Sequence, residues 1–200
     1  MNEAERKAQH LVYRATDPTV MAKQAEYLDE VFAYNQVKPS DHKTKSAMLK
    51  KMFAEVGHDC YIETPFYANF GGHNVHLGNG VYANFNLTLT DDTDIYIDDR
   101  TMIGPNVTLA TAGHPIKPVL REEGYQYDFP IHIGKNVWLG ANVVVCPGVT
   151  IGDNTVIGAG SVVTKDIPAN VVAVGSPCKV QREIGEHDNE YYFKNHKLDI

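Results

Sequence analysis

The chain has 200 residues, 43% of them apolar, with a formal net charge of -7 and a pI near 5.7. That length accommodates one sizeable core with an appendage. The acidic balance argues against nucleic acid as the principal partner, and no apolar run approaches the roughly 18 residues that would make a membrane span. The opening residues Met1-Asn2-Glu3-Ala4-Glu5-Arg6-Lys7 contain no apolar signal core, so the expected compartment is the cytoplasm. Cys60, Cys146 and Cys178 are odd in number and lack metal-site spacing, and are read as buried, reduced and structural.

Residues 1–57 read as a helical cap. Ala4, Ala8, Leu11, Val12 and Ala15 fall at helical spacing as far as Asp17-Pro18, because the residue before a proline disfavours the helical region. A second helix is expected over 19–35, with Met21, Ala25, Leu28, Val31 and Phe32 as its apolar stripe. A third opens at Ser40 or Asp41 and carries Ala47, Met48, Leu49, Met52, Phe53 and Val56 to Gly57, a plausible C-terminal stop. Residues 58–74 look like a degenerate entry coil, with Ile62 and Ala68 six apart before Gly71-Gly72 breaks the phase.

From Val75 to Cys178 the chain is written in sixes. Leu77, Ala83 and Leu89, then Ile97, Ile103 and Leu109, then Ile133, Leu139, Val145, Ile151, Ile157 and Val163 are each six apart within their group. A small or turn-forming residue usually follows, as at Gly78, Gly104, Gly140 and Gly158. A helical period of roughly 3.6 or a strand period of about two does not generate this pattern. A hexapeptide repeat is the signature of a parallel β-helix, in which three hexapeptides make a triangular coil of about 18 residues.

The irregularities carry information of their own. Leu89 to Ile97 is eight, which places a two-residue bulge in Asp91-Asp92-Thr93-Asp94. Leu109 to Ile133 is twenty-four, but the phase would put Pro115, Arg121 and Tyr127 inside the prism. Residues 113–130 are therefore read as a loop ejected from the scaffold, a usual place for function. After Val163 the repeat fades, 179–185 is expected to form a short helix, and the aromatics of Tyr191-Tyr192-Phe193 to pack on a neighbouring surface. The expected organisation is a cap over 1–57, a β-helix over 58–178 and a C-terminal helix and tail over 179–200.

Several residues could carry chemistry. His114, held between Gly113 and Pro115 where the chain leaves a rigid coil, suits either a general base or a solvated loop position. His73, His76 and His132 make a three-histidine metal site conceivable. Asn84 follows an inward position and either reaches a ligand or closes a corner, while Asp91, Asp92 and Asp94 form either a solvated turn or a hydroxyl-binding site. Trp138 precedes an inward position, so it faces outward and wants a partner surface. The run from Gly158 through Ala159, Gly160 and Thr164 to Lys165 is small enough either for a ligand to lie against the backbone or simply for tight corners.

Taken together, Tyr82-Ala83-Asn84-Phe85-Asn86, Thr111-Ala112-Gly113-His114-Pro115, Ile133-Gly134-Lys135-Asn136-Val137-Trp138-Leu139-Gly140 and Val163-Thr164-Lys165-Asp166-Ile167-Pro168 resemble the galactoside and maltose O-acetyltransferases. The resemblance implies a mainly β fold, a left-handed parallel β-helix with a helical cap. It also implies a homotrimer with sites between subunits, and transfer of an acetyl group from acetyl-CoA to a hydroxyl of a small-molecule, sugar-like acceptor without a metal. By the same resemblance His114 matches the catalytic base, and Asp17, Asn69, Asn84 and Asp92 the acceptor side. Trp138, Gly140, Ala141, Ala159, Thr164 and Lys165 match the coenzyme groove, with Lys179 and Arg182 as partners for its phosphates. Backbone N–H groups near Gly140 and Ala141 would meet the developing oxyanion.

Two departures from the family pattern fall on the acceptor side: Ala25-Glu26 stands where galactoside-type members have a basic residue, and 67–73 is one residue longer. The rival readings are a xenobiotic O-acetyltransferase of the same fold, a γ-class carbonic anhydrase-like metalloenzyme and a non-catalytic trimeric scaffold.

Overall fold

The computed structural model describes residues 1–16 and 18–200. Three helices come first: α1 (Glu3–Ala8), α2 (Pro18–Asn35) and α3 (His42–Met52). Helix α1 is closed by a capping box between Asn2 and Glu5 but buries no residue, so nothing holds a longer helix together. The chain turns at His10, which has φ 52°, and Tyr13–Arg14 becomes a strand antiparallel to Tyr125–Asp128. The expected helix through Ala15 is thus replaced by a strand that brings Tyr13 into the interior.

Of the aliphatic stripe expected for helix α2, only Val31 faces inward. Val31 and Tyr34 are buried, whereas Met21, Leu28 and Phe32 are exposed. The reason lies in what the end of the β-helix needs. Tyr34 OH donates to Ile62 O at 2.8 Å, Asn35 Nδ2 donates to Phe66 O at 2.8 Å, and Asn35 Oδ1 accepts from Phe66 N at 3.0 Å. An aliphatic side chain could satisfy none of those backbone groups. Helix α3 starts on Asp41, whose side chain accepts from Thr44 N, and ends at Met52, with Phe53 already extended. Glu55–Val56 then pairs in parallel with His76 and Leu77, so the first coil begins ahead of residue 58.

The remainder is a left-handed β-helix of about 6 turns. Its first face stacks Glu55–Val56, Val75–Leu77, Ile95–Ile97, Ile131–Ile133 and Thr150–Ile151. The second stacks Tyr61–Ile62, Tyr82–Ala83, Met102–Ile103, Trp138–Leu139, Val156–Ile157 and Val171–Val174. The third stacks Tyr67–Ala68, Thr88–Thr90, Thr108–Ala110, Val144–Val145 and Val162–Val163. The register places like on like: Ala83 on Ile103, Ile103 on Leu139, Leu139 on Ile157. Each inward aliphatic is covered by the one above and the one below, and those from Leu77 to Val163 are all buried.

Where the inward phase carries a hydroxyl, the hydroxyl is tied to backbone. Thr101 Oγ1 donates to Gly134 O at 2.8 Å and Thr155 Oγ1 to Pro168 O at 2.7 Å. The left-handed turn positions at the corners are filled mainly by asparagine, including Asn86, Asn106, Asn142 and Asn154. Two of their amide contacts run from coil to coil: Asn86 Nδ2 donates to Asn106 Oδ1 at 2.9 Å, and Asn136 Nδ2 to Asn154 Oδ1 at 3.0 Å.

At the other end Lys179–Glu183, expected as a helix, is a strand antiparallel to Val171–Val174. The open edge of the second face supplies a hydrogen-bonding partner there that an isolated short helix would lack. A short helix, Glu186–Glu190, and a hairpin of Tyr191–Phe193 with His196–Lys197 follow, leaving Tyr192 and Phe193 exposed. All three cysteines are free, but only Cys178 is fully buried; Cys60 and Cys146 are half-buried at the prism surface.

A Cβ on Gly140 would stand 2.6 Å from Ala159 N of the next coil, whereas one on Gly185 meets nothing within 4 Å. Gly140→Ala should therefore force the coils apart and cost about 2 kcal/mol or more, against less than about 0.5 kcal/mol for Gly185→Ala. Urea midpoints of the two variants provide the measurement.

Candidate active site

The candidate residues collect at two of the three long corners. Where the second face passes to the third, Asn84, Gly104, Gly140 and Gly158 stack, each following an inward residue; Phe85, Pro105, Ala141 and Ala159 form the next row. Where the third face passes to the first lie Asn69, Asp91, Asp92, the ejected loop with His114, and Thr164 and Lys165. The two corners are separated by the width of the third face, roughly 15 Å at strand rise. Asn84, Trp138, Ala141 and Ala159 thus sit on one side of that face, and Asp92, His114, Thr164 and Lys165 on the other.

Asn84 is not one of the corner-closing asparagines; Asn86 and Asn106 take that role at φ 61° and 59°. Its Oδ1 accepts from Phe85 N at 2.7 Å, and among the described residues its Nδ2 has no protein acceptor. The next rungs expose Tyr82, Met102 and Trp138 in one column on the second face. Gly140 is buried and its N–H is spent on Ile157 O at 2.8 Å, so it serves coil stacking and cannot also meet an oxyanion. The N–H of Ala141 donates to no protein acceptor among the described residues. Ala159 and Gly160 leave the corner open, since a Cβ on Gly160 would meet nothing within 4 Å.

At the other corner the ejected loop is a built element. Ala112–Gly113 pairs antiparallel with Tyr125–Asp128, which pairs in turn with Tyr13–Arg14; a short helix, Pro118–Glu122, connects the arms. His114 projects from this hairpin into solvent, and its Nδ1 lies 3.0 Å from Tyr125 O. A carbonyl only accepts, so Nδ1 carries a proton, and in the neutral imidazole Nε2 presents a lone pair.

Behind the hairpin runs a buried polar chain. Asn69 Nδ2 donates to Asp92 Oδ2 at 3.1 Å, and Gln126 Nε2 donates to Asp92 Oδ1 at 3.0 Å and to Tyr13 OH. Tyr13 OH donates to Asp128 Oδ2 at 3.1 Å, and His10 Nδ1 lies 3.4 Å from Asp128 Oδ1. Burial pushes the Tyr13 hydroxyl up, and it raises the Asp128 carboxyl above its ordinary range despite the His10 and Tyr13 contacts. Asp91, fully buried, accepts from Phe70 N at 2.8 Å and Gly72 N at 2.9 Å, so the bulge at the acidic corner serves to hold the lengthened 67–73 turn. Its carboxyl is likewise pushed up by burial, which outweighs those N–H donors.

The other expectations fall into place unequally. Asp17 lies outside the described residues. Lys165 and Thr164 are exposed, as is Lys179 opposite Val174 at the end of the second face. Arg182 is bound in bidentate fashion by Asp188 at 2.7 Å and 2.7 Å, so a phosphate would have to share it. The three histidines do not converge. His73 stacks on Tyr27 and its Nε2 lies 2.9 Å from Glu30, while His76 and His132 sandwich Tyr96 on the first face. No group of three or more His, Cys, Asp or Glu is placed to hold a metal ion among the described residues. No helix there is long and apolar enough to cross a membrane.

Tyr13, Gln126 and Asp128 escaped the sequence reading, although Tyr125-Gln126-Tyr127-Asp128 alternates as a half-buried strand does, with Gln126 and Asp128 on one side.

Residues 130–165 match the family described as bacterial transferase hexapeptide (six repeats), and residues 9–57 match the maltose acetyltransferase hexapeptide capping motif. The galactoside O-acetyltransferase of Lactococcus lactis is 52% identical over 94% of this chain and 91% of its own. That of Escherichia coli is 52% identical over 84% of this chain and 83% of its own. A solved galactoside acetyltransferase in complex with coenzyme A superposes with a TM-score of 0.96 at 46% identity, covering 100% of both chains.

Asp128 binds its proton more tightly folded than unfolded, so its contribution to stability is complete below about pH 4 and is lost as pH rises through the raised value. Asp128→Asn keeps an acceptor for Tyr13 OH and should flatten this part of the stability curve. Urea midpoints compared between pH 4 and 7 measure the change.

Proposed function

Because the chain belongs to the galactoside and maltose O-acetyltransferases, acetyl-CoA-dependent acyltransferases built on hexapeptide repeats, we propose that it acetylates a hydroxyl of a galactoside, maltose or glucose-like sugar, with His114 as general base. The observation that carries this reading is the His114 Nδ1 contact with Tyr125 O, which leaves Nε2 as the acceptor of a proton at an exposed position. His114 Nε2 takes the proton of the acceptor hydroxyl as its oxygen attacks the thioester carbonyl. The Ala141 N–H donates to the oxygen on which charge develops. When the carbon–sulfur bond breaks, the imidazolium returns its proton to the thiolate, and the enzyme is left in its starting state.

In this reading a homotrimer brings the two corners together. Base and oxyanion donor stand on opposite sides of the third face, as do Asn84 and Asp92. One cleft then takes Asn84, Trp138, Ala141 and Ala159 from one subunit and Asp92, His114, Thr164 and Lys165 from the next. Small residues at Ala141 and Ala159 leave room for the pantetheine arm, and Lys165 and Lys179 supply charge for phosphates. Asn69 and Asp92 face the sugar. Residues 1–57 cover one end of the prism and 179–200 the other.

His114→Ala should lower kcat by roughly 10²-fold or more at saturating substrates while coenzyme A binding persists, because the proton moves only in the transition state. Retention of most of the kcat would overturn the assignment. Subunits carrying His114→Ala, refolded together with subunits carrying Asn84→Ala, should regain activity in about a quarter of the clefts if each cleft draws on two subunits. No recovery from the mixture would mean that both residues act within one chain.

A further inference from the structure

Asp92 is buried, yet it lines two cavities at its corner. One, of about 190 Å³, is bounded by Tyr13, Ala15, Gln24, Asn69 and Gln126; the other, of about 330 Å³, by Lys7, His10, Asn74 and Asp94. An ionised carboxylate offers about four acceptor positions, two on each oxygen. Gln126 occupies one position on Oδ1 and Asn69 one on Oδ2, so among the described residues each oxygen keeps one open position. Gln126 itself cannot turn freely. It is buried, its amide nitrogen is divided between Asp92 and Tyr13, and Tyr13 is anchored in turn on Asp128.

Gln126 also follows the residue whose carbonyl holds the His114 imidazole. One dipeptide on a paired strand therefore fixes the base through its first carbonyl and the carboxylate through its second side chain.

We infer that Gln126 is a positioning residue for the acceptor: through Asp92 it sets which lone pairs meet the sugar hydroxyls, and with Tyr125 it fixes their distance from the base. Asn69 holds the second oxygen but belongs to another coil, so it cannot transmit the position of the hairpin. This inference rests on the reading that Asp92 receives acceptor hydroxyls. Among the described residues, the charged or titratable groups facing Asp92 are Glu3, Lys7, His10 and Tyr13 from the N-terminal segment, Asp91 and Asp94 from its own corner, and Asp128 beyond Tyr13.

Steady-state kinetics of the full-length protein, with a galactoside varied against acetyl-CoA, test the proposal. Gln126→Leu should raise the acceptor KM roughly tenfold or more, as expected for a lost hydrogen bond to a charged group, and move the acetyl-CoA KM less than about twofold. Gln126→Glu sets a second carboxylate against Asp92, and two such groups share one proton. Its acceptor KM should climb with pH as that proton leaves, a dependence that a merely structural side chain would not create.

An acceptor KM within about twofold of the parent for Gln126→Leu, or one independent of pH for Gln126→Glu, would overturn the proposal. Should the leucine variant fail to fold, the pH profile of the glutamate variant decides alone. Asp92→Ala separates the two levels of the reading. If it leaves the acceptor KM unchanged, the acceptor assignment itself falls. If it raises that KM while Gln126→Leu does not, only the positioning role is lost.

Discussion

The structure depends on one constraint: no coil of this β-helix can bury its own inward side chains. Ile103 is covered only because Ala83 lies below it and Leu139 above, and the same holds along each face. Stability is thus a sum of nearest-neighbour contacts along the prism axis. Any residue that widens one interval between coils is felt by both neighbours. The glycine phase follows directly, because at Gly104 a Cβ would stand 2.8 Å from Ala141 N of the next coil. Termini need covers for the same reason. Helix α2 provides one with Tyr34 and Asn35, and the antiparallel strand Lys179–Glu183 provides the other.

A rigid prism of this kind offers few places where a side chain can be both fixed and free. Side positions either point inward or lie in flat ladders, such as the stacked rings of His76, Tyr96 and His132. Corners are different, because there the chain can leave the ladder and return. The bulge at Asp91-Asp92 and the excursion after Thr111 use the same corner, one coil apart, and each is tied down by buried polar contacts. Asp91 is spent on the backbone of the 67–73 turn, while Asp92 next to it is held, among the described residues, by the side chains of Asn69 and Gln126. Two adjacent carboxylates thereby acquire separate roles, one structural and one presented to cavities.

The division of the candidate groups between two corners also gives oligomerisation a chemical meaning. Within one chain the proposed base and the free N–H of Ala141 lie on opposite edges of the third face, too far apart to act on one carbonyl. In the proposed trimer, association of subunits would do more than bury the exposed column of Tyr82, Met102 and Trp138; it would assemble the proposed reacting groups.

The hexapeptide period was written in the sequence, because stacking demands the same residue class at the same phase in every coil. From it followed the inward set, the bulge, the ejected loop and the corner position of His114. Other features depend on which surface each segment meets. The inward face of α2 keeps only Val31 of the aliphatic stripe, because aliphatic content marks burial only when the neighbour is apolar, and the prism end offers unpaired backbone groups instead. The strand at Tyr13–Arg14 and the strand at Lys179–Glu183 exist only beside partners distant in sequence. Gln126 and Tyr13 are 113 residues apart, and no local pattern could join them to Asp92. The sequence by itself determined the repeat and the place of His114 on it. Tertiary structure alone decided which polar groups hold His114 and Asp92 in position, because a hydrogen bond between remote segments is specified by their packing and not by either segment.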